Sequence, residues 1–195
     1  MPEILNYKHE VYRKSIHIAS SIIAILLWLL GENIFLPYLL LTTISFCTLD
    51  YLRNYKPTLQ KIFLKYFGTI IRPNEQNTIS GASWIFIGST ITIIAFDENI
   101  AIIALLIMSI SDSVAAIIGI KYGRTKLYNK SFEGSIAFLL TTALIVFILS
   151  PAYYIINIIA ILIATLIELI STPTFNDNLL IPISIGIVLT IGAIF

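Results

Sequence analysis

Residues 105–124 read LLIMSISDSVAAIIGIKYGR. The stretch belongs to an apolar run, Ile100–Ile120, yet Asp112 stands inside it. A carboxylate in the middle of a bilayer costs roughly 2.5–3.5 kcal/mol on insertion scales, so a membrane chain keeps one only where it is used. The run itself decides the fold. Its 21 residues match the roughly 17–25 that cross the hydrocarbon core as a helix.

Six further runs repeat the pattern: Ser15–Leu30, Ile34–Leu49, Ile79–Phe96, Phe132–Leu149, Tyr153–Ile170 and Leu179–Phe195. The first two hold 16 residues each, short enough that their flanks are expected to snorkel or the membrane to thin. The chain is 57% hydrophobic and 12% charged. Soluble domains carry about 25% charged residues, so the soluble class is excluded. The reading is one all-α transmembrane domain over 1–195, a polytopic integral membrane protein of about seven helices. The opening MPEILNYKHEVYRKS is polar and no small-residue cleavage site follows the first run, so no cleavable leader is expected. Cys47 is the single cysteine, which excludes an internal disulfide and a cysteine-based zinc site.

Charge orients the helices. All twelve Lys and Arg fall in three places: Lys8, Arg13 and Lys14 before the first span; Arg53, Lys56, Lys61, Lys65 and Arg72 after the second; Lys121, Arg124, Lys126 and Lys130 after the fourth. The other side shows only Glu32, Asp97 and Glu98. The positive-inside rule then places the N-terminus and both long loops in the cytoplasm. Within residues 57–72, Leu59, Ile62, Phe63, Tyr66, Phe67 and Ile70 recur at helical spacing, with Lys61 and Lys65 on the other face. That pattern predicts an amphipathic helix lying in the membrane interface.

The ionisable residues gather on the cytoplasmic half. Glu10, Lys14 and His17 share one face of the first helix, and Asp50 ends the second. Asp112 lies about 12 Å from the cytoplasmic end of the fourth, counted at 1.5 Å per residue. Glu133 opens the fifth, Glu168 closes the sixth, and Asp177 and Asn178 open the seventh. Taken singly, Arg13 and Lys14 read as orientation signals, His17 as a packing hydrogen-bonder, and Asp50 and Glu133 as interfacial charges. Asp112 and Glu168 are buried acids, which mark pathways, metals or ion pairs. Together they describe carboxylates among bases, suited to a divalent cation and a phosphorylated, water-soluble substrate.

The loop over 120–135 reads as a nucleotide-binding loop. Lys121, Arg124, Lys126 and Lys130 can neutralise phosphates, while Gly119 and Gly123 allow close backbone approach. Ser131, Gly134 and Ser135 lie where a helix N-terminus presents free N–H groups to an anion. No Walker or Rossmann fingerprint occurs.

SDSVAAIIGIKYGRTKLYNKSFEGSIA (111–137) resembles the nucleotide-site signature of the CTP-dependent polyprenol and lipid kinases, a family that includes dolichol kinase, phytol and farnesol kinases and the CTP-using diacylglycerol kinase. EVYRKSIH (10–17) resembles its E-x-x-R-K-x-x-H element, and NDNLLIP (176–182) its D-N-x-x-x-P element. The resemblance implies transfer of the γ-phosphoryl group of CTP, with Mg²⁺, to the hydroxyl of a membrane lipid alcohol. Candidates are polyprenol or dolichol, phytol or geranylgeraniol, and diacylglycerol; a polyprenol or shorter prenyl alcohol is the expectation. It implies Asp112 as catalytic acid and metal ligand, helped by Asp177. Lys121, Lys130, Ser131, Glu133, Gly134 and Ser135 become the triphosphate loop, with Asn178 adding to it. Glu10, Arg13, Lys14 and His17 become substrate or phosphate contacts. Asp112, Glu133, His17 and Glu168 stay open as the base. The expected partners are CTP, a lipid alcohol and the bilayer, not nucleic acid, with the active site facing the cytoplasm. Two rivals remain. A cytidylyltransferase would join CTP to a lipid phosphate, but its K-R, K-D and D-R-x-x-D elements are missing. A transporter would place acids at mid-membrane or on both sides.

Overall fold

The computed structural model describes residues 7–68, 70–71, 75–128, 130–150, 154–171 and 176–194. Arg72, Tyr153 and Phe195, at the ends of expected segments, lie outside them, as does the side chain of Lys8. The helices follow the apolar runs: α1 (Tyr7–Ala19), α2 (Ile22–Leu30), α3 (Glu32–Tyr55), α4 (Pro57–Phe67), α5 (Gly81–Ala95), α6 (Glu98–Leu106), α7 (Asp112–Tyr122), α8 (Phe132–Leu149), α9 (Tyr154–Ile170) and α10 (Asp177–Ile194). A two-stranded hairpin, β1 (Lys126–Leu127) with β2 (Lys130–Ser131), joins α7 to α8.

Five helical stretches are long and apolar enough to cross a membrane: His9–Leu30, Glu32–Tyr55, Glu98–Tyr122, Phe132–Leu149 and Asp177–Ile194. Gly81–Ala95 and Tyr154–Ile170 are apolar but shorter. Large apolar side chains such as Ile44, Leu144, Leu162 and Ile194 stand exposed around the bundle. An exterior this apolar, over helices of this length, is that of a polytopic membrane protein. The first two spans are longer than their apolar runs, 22 and 24 residues. The helices run past the apolar residues into polar ones, and Lys14 and Asp50 there find partners inside the bundle.

The stretch Glu98–Tyr122 is the most buried of the five. It passes from α6 through a π-helical segment, Ile107–Ser111, into α7 without a break. Ile103, Leu105, Ile107 and Met108 are buried there against Phe138 of α8 and Ile181 and Ile185 of α10 within one core. Around this helix, α1 and α8 pack on α7, α2 packs on α6, and α10 packs on α5, α6 and α9. Asp112 therefore opens the last helical stretch of the most enclosed element.

Two close approaches fix the packing. Pro182 lies inside α10 and has no N–H to give to the carbonyl four residues back, that of Asn178. That carbonyl faces α5 at Gly88, where a Cβ would stand 2.1 Å from the Asn178 oxygen. Likewise a Cβ at Gly134 would lie 2.9 Å from the Ala115 carbonyl oxygen and 3.2 Å from the Gly119 Cα, so α7 and α8 meet backbone to backbone. Gly88→Ala must force α5 from α10. Overpacking of this kind costs about 1–3 kcal/mol, and the expected outcome is a lower thermal unfolding midpoint in detergent micelles. An unchanged midpoint would show that the two helices separate freely.

Candidate functional site

The site is built at one end of the bundle. Lys14 on α1 pairs with Asp112 Oδ2 on α7, and both side chains are buried. His17, one turn further along α1, brings Nε2 to 3.2 Å from the same oxygen and 3.0 Å from the Met108 carbonyl oxygen. Two acceptors face Nε2, so that nitrogen carries the hydrogen in the neutral ring and Nδ1 is left with the lone pair. The Met108 carbonyl belongs to the π-helical segment, a geometry that is rare and gathers at functional sites. Ser113 Oγ donates to the carbonyls of Ser109 at 2.7 Å and Lys14 at 3.3 Å, tying α1 to α7. Ser111 Oγ is buried beside Asp112 and has no hydrogen-bond partner among the described residues. Nearer the helix start, Arg13 donates to the Glu10 carboxylate through Nε and Nη2.

A second set of charges closes on the first from the hairpin. Lys130 Nζ lies 3.1 Å from Glu168 Oε1 on α9 and 3.5 Å from Asp177 Oδ2 on α10. Ser135 Oγ donates to Glu168 Oε2 at 3.1 Å. Burial by itself would lower the Lys130 pKa, but the carboxylates of Asp112, Asp177 and Glu168 offset it and hold the ammonium above its usual range. Lys130 thus bridges α9 and α10 from the hairpin, with Asp112 near enough for its charge to act on the ammonium. The hairpin that presents it turns at Tyr128, whose φ of 53° is the left-handed conformation that a tight two-residue turn demands.

The loop residues divide. Ser131 caps α8, accepting from Gly134 N at 3.1 Å, so one of the N–H groups expected to face an anion is already taken. Asn178 opens α10, its Nδ2 donating to the Gly81 carbonyl at 3.5 Å. Glu133 stands apart from the buried acids: its Oε1 and Oε2 accept from Thr125 N at 3.2 and 3.4 Å. With Lys121, Tyr122, Gly123 and Arg124 it lines an open cleft of about 440 Å³. Lys126, on β1, is exposed. The structure thus brings Glu10, Arg13, Lys14, His17, Asp112, Lys130, Ser135, Glu168 and Asp177 to one end of the bundle and sets Lys121, Arg124 and Glu133 around a neighbouring cleft.

A third cluster joins the same end of α3 to α5. Asp50 Oδ2 accepts from Ser80 N, Ser80 Oγ and Ser83 Oγ at 2.7, 2.8 and 2.6 Å, and its Oδ1 from Arg53 Nε at 2.7 Å. Arg53 also donates to the carbonyls of Glu75, Gln76 and Thr78 and lies 4.3 Å from the Phe63 ring centroid of α4. Sequence reading took Asp50 as an interfacial charge and Arg53 as an orientation signal. The i, i+3 spacing of an acid and an arginine at a helix end was the available signal for this pair. Nothing in the sequence pointed to Ser80 and Ser83, or to the Met108 carbonyl.

Fold and site first define a class: a helical membrane protein with charges of both signs locked together inside one end of its bundle. Comparison with known proteins narrows it. The chain is 35% identical over 190 residues to an uncharacterized protein of Rickettsia prowazekii, covering 92% of each. It is 32% identical over 136 residues to the CTP-dependent diacylglycerol kinase 1 of Saccharomyces cerevisiae, covering 67% of this chain and 47% of that one. With the CTP-dependent diacylglycerol kinase 1 of Schizosaccharomyces pombe it shares 30% identity over 134 residues, covering 66% and 62%. No family model and no solved structure matches it. The chain belongs to the CTP-dependent lipid kinase family. It spans about half to three fifths of the length of these two yeast kinases.

The Lys14–Asp112 pair is testable without activity. Breaking one partner of a buried pair costs about 3–5 kcal/mol. Lys14→Met is expected to lower detergent stability by that order, and adding Asp112→Asn to recover most of it. Equal stability of the single and double variants would mean the two side chains do not neutralise each other.

Proposed function

We propose that this protein transfers the γ-phosphoryl group of CTP to the hydroxyl of a membrane lipid alcohol, at the cytoplasmic face of the bilayer. The observation that carries the reading is the buried Lys14–Asp112–His17 group beside the Lys130–Glu168–Asp177 group. Phosphoryl transfer needs positioned cations and carboxylates more than covalent chemistry. An acid embedded in the bundle serves an acceptor whose chain lies in the membrane. The yeast relatives, named as CTP-dependent diacylglycerol kinases, support CTP as donor and diacylglycerol as acceptor. The motif resemblance supports a polyprenol or prenyl alcohol equally. Neither supports the cytidylyltransferase.

In this reading all seven apolar helical stretches cross the bilayer, the N-terminus and the α7–α8 hairpin face the cytoplasm, and α4 lies in the interface. None of the α4 side chains is buried, and Ile62, Tyr66 and Phe67 are exposed alongside Lys61 and Lys65, as a helix resting on headgroups requires.

The acceptor oxygen bonds to the γ-phosphorus as the β–γ bridging P–O bond breaks, and CDP leaves with that electron pair. The hydroxyl proton passes to a base among Asp112, His17 and Glu168, which lie on the buried side, while Glu133 stands outside it. Lys14 and Lys130 offset phosphate charge. Mg²⁺ is bound through one or two carboxylates with water and phosphate completing its shell. Asp112 and Asp177 offer that many hard oxygen donors, and no group of three ligating side chains is assembled among the described residues. This donor set fits an ion that arrives with its nucleotide. When bound, the ion would supply further charge stabilisation to the transferred group.

The test uses purified protein in mixed micelles with γ-labelled or α-labelled CTP, Mg²⁺ and a panel of diacylglycerol, polyprenol, phytol, geranylgeraniol and phosphatidic acid. Label from the γ position is expected on an alcohol. Label from the α position on phosphatidic acid would sink the reading. Asp112→Asn leaves Lys14 unpaired and so lowers stability, but per folded molecule it is expected to lower transfer by roughly two orders of magnitude or more; retained turnover would remove Asp112 from the chemistry.

A further inference from the structure

The cleft between the end of α7 and the start of α8 lies apart from the buried charges that the transfer step uses. Lys121, Tyr122, Gly123, Arg124 and Glu133 line it. None of the buried groups Lys14, His17, Asp112 and Glu168 reaches it, and its charges are mixed. A cleft shaped for phosphate alone would gather cations; a carboxylate in the wall opposes that. A carboxylate beside a guanidinium and an ammonium instead complements a partner carrying a hydrogen-bond donor next to acceptors. The cytosine edge is such a partner, with its N4 amino donor followed by the N3 and O2 acceptors, and carboxylates accept from cytosine N4 in known recognition. Tyr122, 58% exposed, offers a ring on which a base can stack.

Resting on the CTP reading above, we propose that this cleft is the base-reading site. Glu133 accepts from the exocyclic amino group of cytosine, Arg124 and Lys121 donate to its ring acceptors, and Tyr122 supports the ring. Glu133 is held for the task, because Thr125 N–H reaches both its oxygens at 3.2 and 3.4 Å. Each carboxylate oxygen has two lone pairs, so acceptor capacity remains. The separation also suits a nucleotide. Asp112 and Tyr122 are the two ends of α7, about 15 Å apart at 1.5 Å per residue. Ribose and three phosphates can span that length, from a base in the cleft to the Asp112 group, with Lys130 alongside. Uracil reverses the pattern, presenting a carbonyl oxygen to Glu133 where cytosine presents an amine.

The experiment measures kcat/KM for CTP and UTP with the full chain in micelles, wild type against Glu133→Gln. Glutamine both donates and accepts, so the CTP-over-UTP ratio is expected to fall about tenfold or more. A ratio unchanged in an active Glu133→Gln protein overturns the proposal. So does an unchanged ratio accompanied by a raised KM for the lipid, which would give the cleft to a lipid headgroup. If Glu133→Gln does not purify folded, Arg124→Ala carries the same readout, with the same loss of preference expected and the same constancy overturning it. Wild-type protein that uses neither nucleotide would instead sink the kinase reading and this site with it.

Discussion

A carboxylate inside hydrocarbon must be neutralised, and here the neutralising ammonium comes from another helix. Lys14 reaches Asp112 from α1 to α7, with His17 on the same oxygen. Once that pair is formed, much else is constrained. α1 must lie against α7 in one register, since a one-turn slide of about 5.4 Å would separate the charges. The polar ends of α8, α9 and α10 are held level with one another, because Lys130 bridges Glu168 and Asp177 from the hairpin and Ser135 donates to Glu168. The bundle is apolar outside and ionic at one internal end. Dispersion holds the helices together, while ion pairs set their depth and rotation.

Two further contacts between helices are made by backbone. Glycines at 119 and 134 let α7 and α8 close on each other below the loop. On α10 a proline frees the Asn178 carbonyl, and Gly88 on α5 accepts its approach. This accounts for two residues of the N-D-N-L-L-I-P element in packing terms. Its Asp177 meets Lys130, and its Asn178 and Pro182 set how closely α10 lies on α5.

Much of the fold was legible because hydropathy is a property of composition. Each apolar run is helical over most of its described length, with Ser15–Leu30 divided between α1 and α2 and Ile100–Ile120 between α6, the π-helical segment and α7. The spacing that marks residues 57–72 produces α4, whose described helix ends at Phe67. Site residues with a period on one helix, such as Glu10, Lys14 and His17, could be placed together from spacing alone. What could not be read was which charges meet across helices. Glu133 and Ser135 are two residues apart at one helix start, yet point to different places: Ser135 to Glu168, Glu133 to the Thr125 amide. A two-residue step on a helix turns a side chain by about 200°, so loop membership says little about which side it faces. The π-helical segment was invisible for a similar reason. Its apolar and serine residues fit an ordinary helix equally well, and only the packed bundle distinguishes them.

The Lys14–Asp112 contact joins residues 98 positions apart, and that interval has a consequence for biosynthesis. The chain is made from its N-terminus, so α1 meets the membrane long before its counter-ion exists. Lys14 lies close enough to the polar end for its flexible stem to hold the ammonium at the headgroups meanwhile. Asp112 has a shorter side chain and no such freedom, but it emerges later than Lys14, into a bilayer where its partner already waits. The charge that comes early is the one on the longer, more flexible side chain, and the order of synthesis matches the order in which each group can tolerate being alone.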